Sequence, residues 1–253
     1  MAVVVLASAA HSPGVTTAAL ALALTWPGDI LLADCDRTPS QAVLAGYLHG
    51  VDPHGRGLTG VLQAHREHRP LEEVLDSECL SLDPTDPISR TFLPGLSHPG
   101  TVALFASAWP DLMAALARHQ SDVLIDAGRV GVDGLPSALT TAADLVLIVT
   151  RTTLVSLAAL RLYLPMVTES SQKLGLLVVG DGQPYRASEV QAQFGVDVWG
   201  SIQHDPASAA VLSEGLPAPR RFTESRFYAS AGEVSRRIES RLREARALIG
   251  APR

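Results

Sequence analysis

The sequence predicts an α/β fold in which helices cover both faces of a mostly parallel, twisted sheet. Short apolar runs typical of buried strands alternate with helical patterns along nearly all of the 253 residues. Hydrophobic residues make up 47% of the chain and charged residues 18%, which is enough apolar material for a core on each side of a sheet. Strands separated by helices imply right-handed crossovers and parallel pairing. We therefore expect one α/β domain over residues 1–253.

The strands are predicted where runs rich in Val, Ile and Leu are bounded by Gly, Pro, Ser or Asp. Because most of these runs are continuously apolar rather than alternating, they suit strands that are buried on both faces. The last run is typical of an edge strand. The predicted strands are residues 3–6, 30–34, 92–94, 102–105, 122–126, 145–150, 174–179 and 197–202.

The helices are predicted where apolar residues recur every three or four positions, and Pro or Gly marks several of their ends. Trp26-Pro27-Gly28 ends the first helix, and Pro70 separates two others. The predicted helices are residues 16–24, 41–48, 58–68, 71–75, 112–118, 136–143, 154–168, 187–194, 208–215 and 231–249.

Composition bounds the class of protein further. No apolar run reaches the roughly 18 residues needed to span a bilayer, and the first residues lack the basic segment of a secretory signal. Cys35 and Cys79 are too few for a disulfide framework, so we interpret them as buried free thiols. We therefore expect a soluble, cytoplasmic protein.

The segment after the first strand has the frame of a phosphate-binding loop without its lysine. Such a loop uses glycine for close backbone approach, a lysine on the phosphates and a Ser or Thr on Mg²⁺. Gly14 and Thr16 suit two of these roles, Val15 stands where the lysine belongs, and Lys173 is the chain's single lysine. The alternative is a plain strand-to-helix turn with a Thr cap. The candidate nucleotide-binding residues of the loop are His11, Ser12, Pro13, Gly14, Val15, Thr16 and Thr17.

Three aspartates follow predicted strands, where ligands of open parallel sheets bind. Asp34 and Asp36 form a D-x-D after the second strand, and Asp126 ends the run Val-Leu-Ile. Carboxylates beside a phosphate loop can hold Mg²⁺ or orient an attacking water. The alternative is that they cap or pair with neighbouring loop residues.

Four segments in this order resemble the ParA/MinD group of deviant-Walker ATPases, which have the three-layer P-loop NTPase fold. The segments are residues 8–17, 30–36, 122–128 and 202–206, and the resemblance covers most of the chain. The family places one lysine early in the loop and one just before the Thr pair, whereas Ala10 and Val15 stand there here. The nearest resemblance is to the pilus-assembly and septum-site-determining branch (CpaE/TadZ-like), whose loop can also lack these lysines. Together with the alternation, it implies about seven or eight strands.

The resemblance also implies roles for individual residues. Thr16, Asp34 and Asp126 would hold Mg²⁺ directly or through water, and Asp36 would act on the attacking water. Asp205 and Pro206 would border the adenine, so the implied cofactors are ATP or ADP with Mg²⁺.

The implied function is that of a regulatory or spatial-positioning protein with weak or no ATP hydrolysis. Its partner would be a protein of a positioning, secretion/pilus or division system, and a homodimer is also expected. The alternative is an active ATPase in which His11, Arg37 or Arg151 replaces the lysines and nucleotide drives dimerisation.

Basic residues are concentrated in the final segment of the chain. Residues 220–253 carry 9 Arg and 4 Glu, whereas residues 1–219 carry 11 basic and 22 acidic residues. The predicted helix 231–249 has an apolar stripe that includes Val234, Ile238 and Leu242, with arginines mostly elsewhere. Three interpretations stay open: packing on its own domain, docking on a membrane surface and binding of the DNA backbone. The last two would bring the protein to the membrane or the nucleoid.

Overall fold

Eight strands form one sheet in the computed structural model, which describes residues 1–10, 13–171 and 173–250. The strands are β1 (Val3–Ser8), β2 (Ile30–Asp34), β3 (Leu80–Ser81), β4 (Arg90–Leu93), β5 (Asp122–Arg129), β6 (Leu145–Arg151), β7 (Leu174–Val179) and β8 (Val198–Ile202). Their order across the sheet is β3-β4-β2-β5-β1-β6-β7-β8. Only the short pair β3 and β4 is antiparallel among these described strands. The predicted mostly parallel α/β sheet is confirmed.

Helices connect the strands and lie on both faces of the sheet. They are α1 (Val15–Leu24), α2 (Ala42–Ala45), α3 (Leu58–Arg66), α4 (Leu71–Val74), α5 (Trp109–Leu116), α6 (Ser137–Thr141), α7 (Leu154–Ser170), α8 (Ala187–Phe194), α9 (Pro206–Ser213) and α10 (Arg226–Gly250). No helix of the described part has the length and apolar composition that crossing a bilayer requires.

The core has two halves because successive side chains of a strand point to opposite faces. In β1, Val3 and Val5 belong to the half covered by α3 to α8, whereas Val4 and Leu6 belong to the half covered by α1, α2, α9 and α10. All four side chains are buried. The continuous apolar run of β1 is therefore that of a central strand with both faces covered.

Several elements differ from the sequence prediction. Residues 102–105 were predicted as a strand, which is wrong: the chain there forms 3₁₀ turns, including Leu104–Ser107. The apolar Phe105 packs on Trp109 at the start of α5, with ring centroids 4.5 Å apart, and not within the sheet. The two-residue strand β3 was not predicted, and β5 continues three residues past Asp126.

The final helix begins at Arg226, five residues before its predicted start, and packs on its own domain. Phe227, Val234, Ile238 and Leu242 on one side of α10 are buried in the core half that also contains α1. The apolar stripe is therefore covered by the domain, as the first of the three interpretations of this helix expects.

The chain's single lysine lies at the amino end of β7, next to a tryptophan of β8. Lys173 Nζ is 5.6 Å from the centroid of the Trp199 ring, and Arg241 Cζ of α10 is 3.9 Å from it. Gly175 of β7 lies under the same ring, and a Cβ atom there would overlap Trp199 and lie 3.1 Å from Leu147 Cδ2. Two cations therefore lie near the Trp199 ring, and Gly175 leaves the room that the ring occupies.

Gly175→Ala should destabilise the protein because its new methyl group has no room beside Trp199. We expect the free energy of unfolding to fall by about 1–3 kcal/mol, the usual cost of overpacking a core. Urea denaturation followed by tryptophan fluorescence measures the change. The matched control is Gly28→Ala, since a Cβ atom at Gly28 would meet no atom within 4 Å. Equal midpoints for the two variants would contradict this account of the packing.

Candidate functional site

The loop after β1 lies at the edge of the sheet where the parallel strands end. Gly14 precedes α1 with φ 91° and ψ 44°, a left-handed conformation that other residues rarely adopt. Its carbonyl accepts the first helical hydrogen bond from the Ala18 N–H at 2.8 Å. Val15, at the lysine position, is 7% exposed and packs in the core half with α1. The predicted His11 and Ser12 lie outside the described residues.

Two aspartates face each other across neighbouring strands beside this loop. Asp34 ends β2 and pairs in register with Asp126 of β5, and they are 7% and 2% exposed. Burial raises the pKa of both carboxyl groups, and the charge of Asp126 raises the pKa of Asp34 further. The nearby Thr16 hydroxyl lowers the pKa of Asp126, as does the Gly128 N–H, which donates to Asp126 Oδ1 at 2.9 Å, so part of the shift is offset. The loop and the acid pair are thus one connected unit.

The third aspartate joins the same cluster from the segment after β2. The Asp36 N–H donates to Asp34 Oδ1 at 3.1 Å, and Asp36 Oδ1 accepts from the Thr38 N–H at 2.7 Å. Its carboxyl group lies against Gly128, where any Cβ atom would overlap it. Burial raises the pKa of Asp36, while the Thr38 N–H and then the charges of Arg129 and Arg37 lower it. The structure therefore brings the three predicted acids together.

These residues suit a hydrated magnesium ion. Among the described residues, no group of three or more His, Cys, Asp or Glu side chains could hold a metal by itself. Mg²⁺ usually keeps several waters and takes only one or two carboxylates from the protein. Asp34, Asp126 and the Thr16 hydroxyl form such a set, and a divalent cation would relieve the burial of two like charges.

A cavity of about 140 Å³ opens on the other side of the loop, toward the ends of β6, β7 and β8. Gly14 and Arg151 line its polar side, and Pro206 and Phe227 are among the residues of its apolar wall. Ligand pockets usually measure roughly 300–1,000 Å³. The cavity therefore has room for part of a nucleotide, such as one ring or one phosphate group.

Asp205 and Pro206 lie at this cavity, at the start of α9. The Asp205 carboxylate caps the helix: it accepts from the Ala207 and Ser208 N–H groups at 3.1 and 3.2 Å and from the Ser208 hydroxyl at 2.7 Å. The Ser208 hydrogen bonds lower its pKa. The carboxylate is thus engaged by α9, and the cavity wall here is formed mainly by the ring of Pro206 and its neighbours.

Arginines, and no lysine, surround the loop. Arg37 donates to the carbonyl of Gly134, which holds it on the segment after β5. Arg151 ends β6 and lines the cavity. Arg129, which the sequence prediction missed, ends β5 and lowers the pKa of Asp36. Lys173 precedes β7 and therefore lies at the opposite edge of the sheet.

Solved structures with the same fold are known, although the sequence itself matches no family model and no curated protein. The ParA family ATPase of Chlorobium tepidum is 15% identical with a TM-score of 0.75, over 92% of this chain and 98% of that chain. A chain of the MinC:MinD cell division protein complex of Aquifex aeolicus is 13% identical with a TM-score of 0.71, over 95% of this chain and 96% of that chain. A putative plasmid partition protein of Borrelia burgdorferi bound to AMPPNP is 13% identical with a TM-score of 0.68, over 95% and 99%.

These likenesses extend over nearly the whole chain at low sequence identity. They establish a shared fold, and the eight-stranded sheet agrees with it. The chain therefore has the P-loop fold of the ParA and MinD ATPases.

Asp34→Asn should make the fold more stable at neutral and alkaline pH. Because burial raises the folded-state pKa of Asp34 above its ordinary value of 3.8, the folded state holds the proton more tightly than the unfolded chain. The wild-type free energy of unfolding then falls as pH rises from about 4 through the folded pKa, by up to about 1.4 kcal/mol per pH unit. Asn carries no such charge, so the free energy of unfolding of the variant falls less as pH rises.

Urea denaturation between pH 4 and 9, with EDTA present, measures this difference. The control is Asp133→Asn, since Asp133 is exposed and its replacement should leave the pH profile of stability unchanged. Parallel profiles for wild type and Asp34→Asn would contradict the prediction.

Proposed function

We propose that this protein is a ParA/MinD-like nucleotide-dependent switch that binds a protein partner and hydrolyses ATP slowly or not at all. The main support is that a buried valine occupies the position of the loop lysine and that the single lysine of the chain lies elsewhere. Val15 is buried in the core, and Lys173, the chain's single lysine, lies at the opposite edge of the sheet. The glycine, threonine and acids of the site are nevertheless in place beside the loop.

These residues support binding better than turnover. With nucleotide present, Thr16, Asp34 and Asp126 would hold Mg²⁺, which would offset phosphate charge. The N–H groups that begin α1 attract anions without help from a side chain, although Pro13 provides no N–H. Loss of one preorganised donor to a developing charge typically slows a reaction about 10²- to 10³-fold. Hydrolysis therefore suffers more than affinity, and we expect Asp36 to add nothing measurable to phosphate release.

The proteins that share this fold suggest that the chain binds a protein partner. One of them is a chain of the MinC:MinD cell division protein complex, and another is a putative plasmid partition protein bound to AMPPNP. We infer for this chain a partner in a positioning, secretion/pilus or division system, and self-association as a homodimer. The lysine-free loop favours the CpaE/TadZ-like branch within that group.

The basic helix α10 is a poor surface for DNA or membrane in this arrangement. Its apolar stripe is buried in the domain, so the same face cannot also enter a bilayer. Arg237 pairs with Glu233 at 3.0 Å, and Arg243 and Arg246 pair with Glu239 and Asp144. We therefore infer that the partner, and not this helix, determines where in the cytoplasm the protein is found.

An active ATPase is the second candidate, and the position of Arg151 favours it. Its side chain lines the cavity beside Gly14, where a cation could act on a bound phosphate. Turnover separates this candidate from the first.

Nucleotide should stabilise the purified protein while phosphate release stays near background. At 100 times its Kd a ligand adds about 2.7 kcal/mol of stability, equivalent to a rise in Tm of about 5–10 °C for a domain of this size. Thermal melting with ADP or ATP, with and without Mg²⁺, measures binding, and a coupled phosphate assay measures turnover. The wild type and Asp36→Ala should release phosphate at the same rate.

Turnover that Asp36→Ala abolishes would favour the active ATPase instead. No change in Tm with any nucleotide would exclude a nucleotide-dependent switch altogether.

A further inference from the structure

Each strand beside β1 ends in an arginine. β1 lies between β5 and β6 in the sheet, β5 ends at Arg129 and β6 at Arg151. Ser8, the last residue of β1, pairs in register with Arg129. Because these three strands are parallel, their carboxyl ends meet at one edge, and the two arginines flank the loop that follows Ser8.

Arg151 lies at the cavity and takes part in none of the ion pairs between described residues. It is half-buried and lines the cavity together with Pro13 and Gly14. Burial, and then the charge of Arg151, lower the pKa of neighbouring His204, while the charge of Asp205 raises it. The Asp205 carboxylate at the same cavity is held by the cap of α9.

Arg129 covers the other flank, next to the acid cluster. Its charge lowers the pKa of Asp36, which places the guanidinium within electrostatic reach of that carboxyl group. The third arginine of this edge, Arg37, also lowers the pKa of Asp36, but its guanidinium donates to the Gly134 carbonyl. Arg129 and Arg151 thus end the two strands that flank β1, one on the magnesium side of the loop and one on the cavity side.

We propose that Arg129 and Arg151 together replace the missing loop lysines and bind the phosphate groups of an anionic ligand from the two sides of the loop. The guanidinium group presents a planar set of donors that matches phosphate oxygens in pairs. The first N–H groups of α1, a helix of 10 residues, would face the same phosphates. The inference rests on the proposed function, since it assigns the ligand chemistry of that same site: a phosphate-bearing ligand held by arginine.

Isothermal titration of the full chain with pyrophosphate, ADP and adenosine, each with Mg²⁺ at about 0.1 M salt, tests this. Arg129→Ala and Arg151→Ala should each weaken pyrophosphate and ADP binding about tenfold or more, because each removes a charge-assisted contact. The double variant should lose more than either single one. Any affinity for adenosine should be unchanged, since it has no phosphate.

The matched control is Arg161→Ala, an exposed arginine on α7 that lines the separate groove between α7 and α8. It should bind as the wild type does. Arg151→Lys should keep part of the affinity that Arg151→Ala loses, and melting without ligand checks that every variant is folded.

The binding results test the role of the arginines separately from the proposed nucleotide switch on which it rests. Wild-type binding that neither alanine variant weakens would overturn the role of the arginines and leave the nucleotide switch standing. No binding of pyrophosphate or ADP by the wild type would overturn both.

Discussion

The site depends on the burial of two carboxyl groups on neighbouring strands. Asp34 and Asp126 are paired in register between β2 and β5, and both are almost completely shielded from water. Two like charges cannot both persist there without a proton or a cation between them. The Thr16 hydroxyl lowers the pKa of Asp126, so the first turn of α1 lies close to the same pair. Changes in the charge of the pair therefore reach the phosphate-loop frame directly.

Glycines make this arrangement sterically possible. A Cβ atom at Gly95 would lie 2.6 Å from Asp34 Cγ, and one at Gly128 would overlap the Asp36 carboxyl group. Gly14 supplies the left-handed turn into α1. These glycines therefore let the backbone approach the buried carboxyl groups closely.

Sequence patterns predicted the elements of the fold whose structure is determined by their own residues. Residues 122–126 and 145–150 read as buried strands because their runs are apolar on both faces, and both are central in the sheet. The order of Asp34, Asp36 and Asp126 predicted that they meet, because carboxyl ends of parallel strands share one edge. Arg129 was missed because β5 was expected to end at Asp126. The last of the extra residues, Arg129, pairs with Ser8, and this long-range contact leaves no local signal.

The distribution of charged residues along the sequence and their surroundings in the folded protein indicate different sites for anion binding. The final 34 residues contain the highest density of arginine, which suggests a polyanion partner. In the fold, four arginines of α10 lie beside carboxylates and Arg241 also lies over Trp199, so much of that charge is compensated within the chain. Arg151 has no ion pair among the described residues and lies at a cavity beside a helix N-terminus. A single cation that is desolvated and positioned binds a small anion better than several that are paired and hydrated. The loop, and not the tail, is therefore where this protein is best suited to bind phosphate.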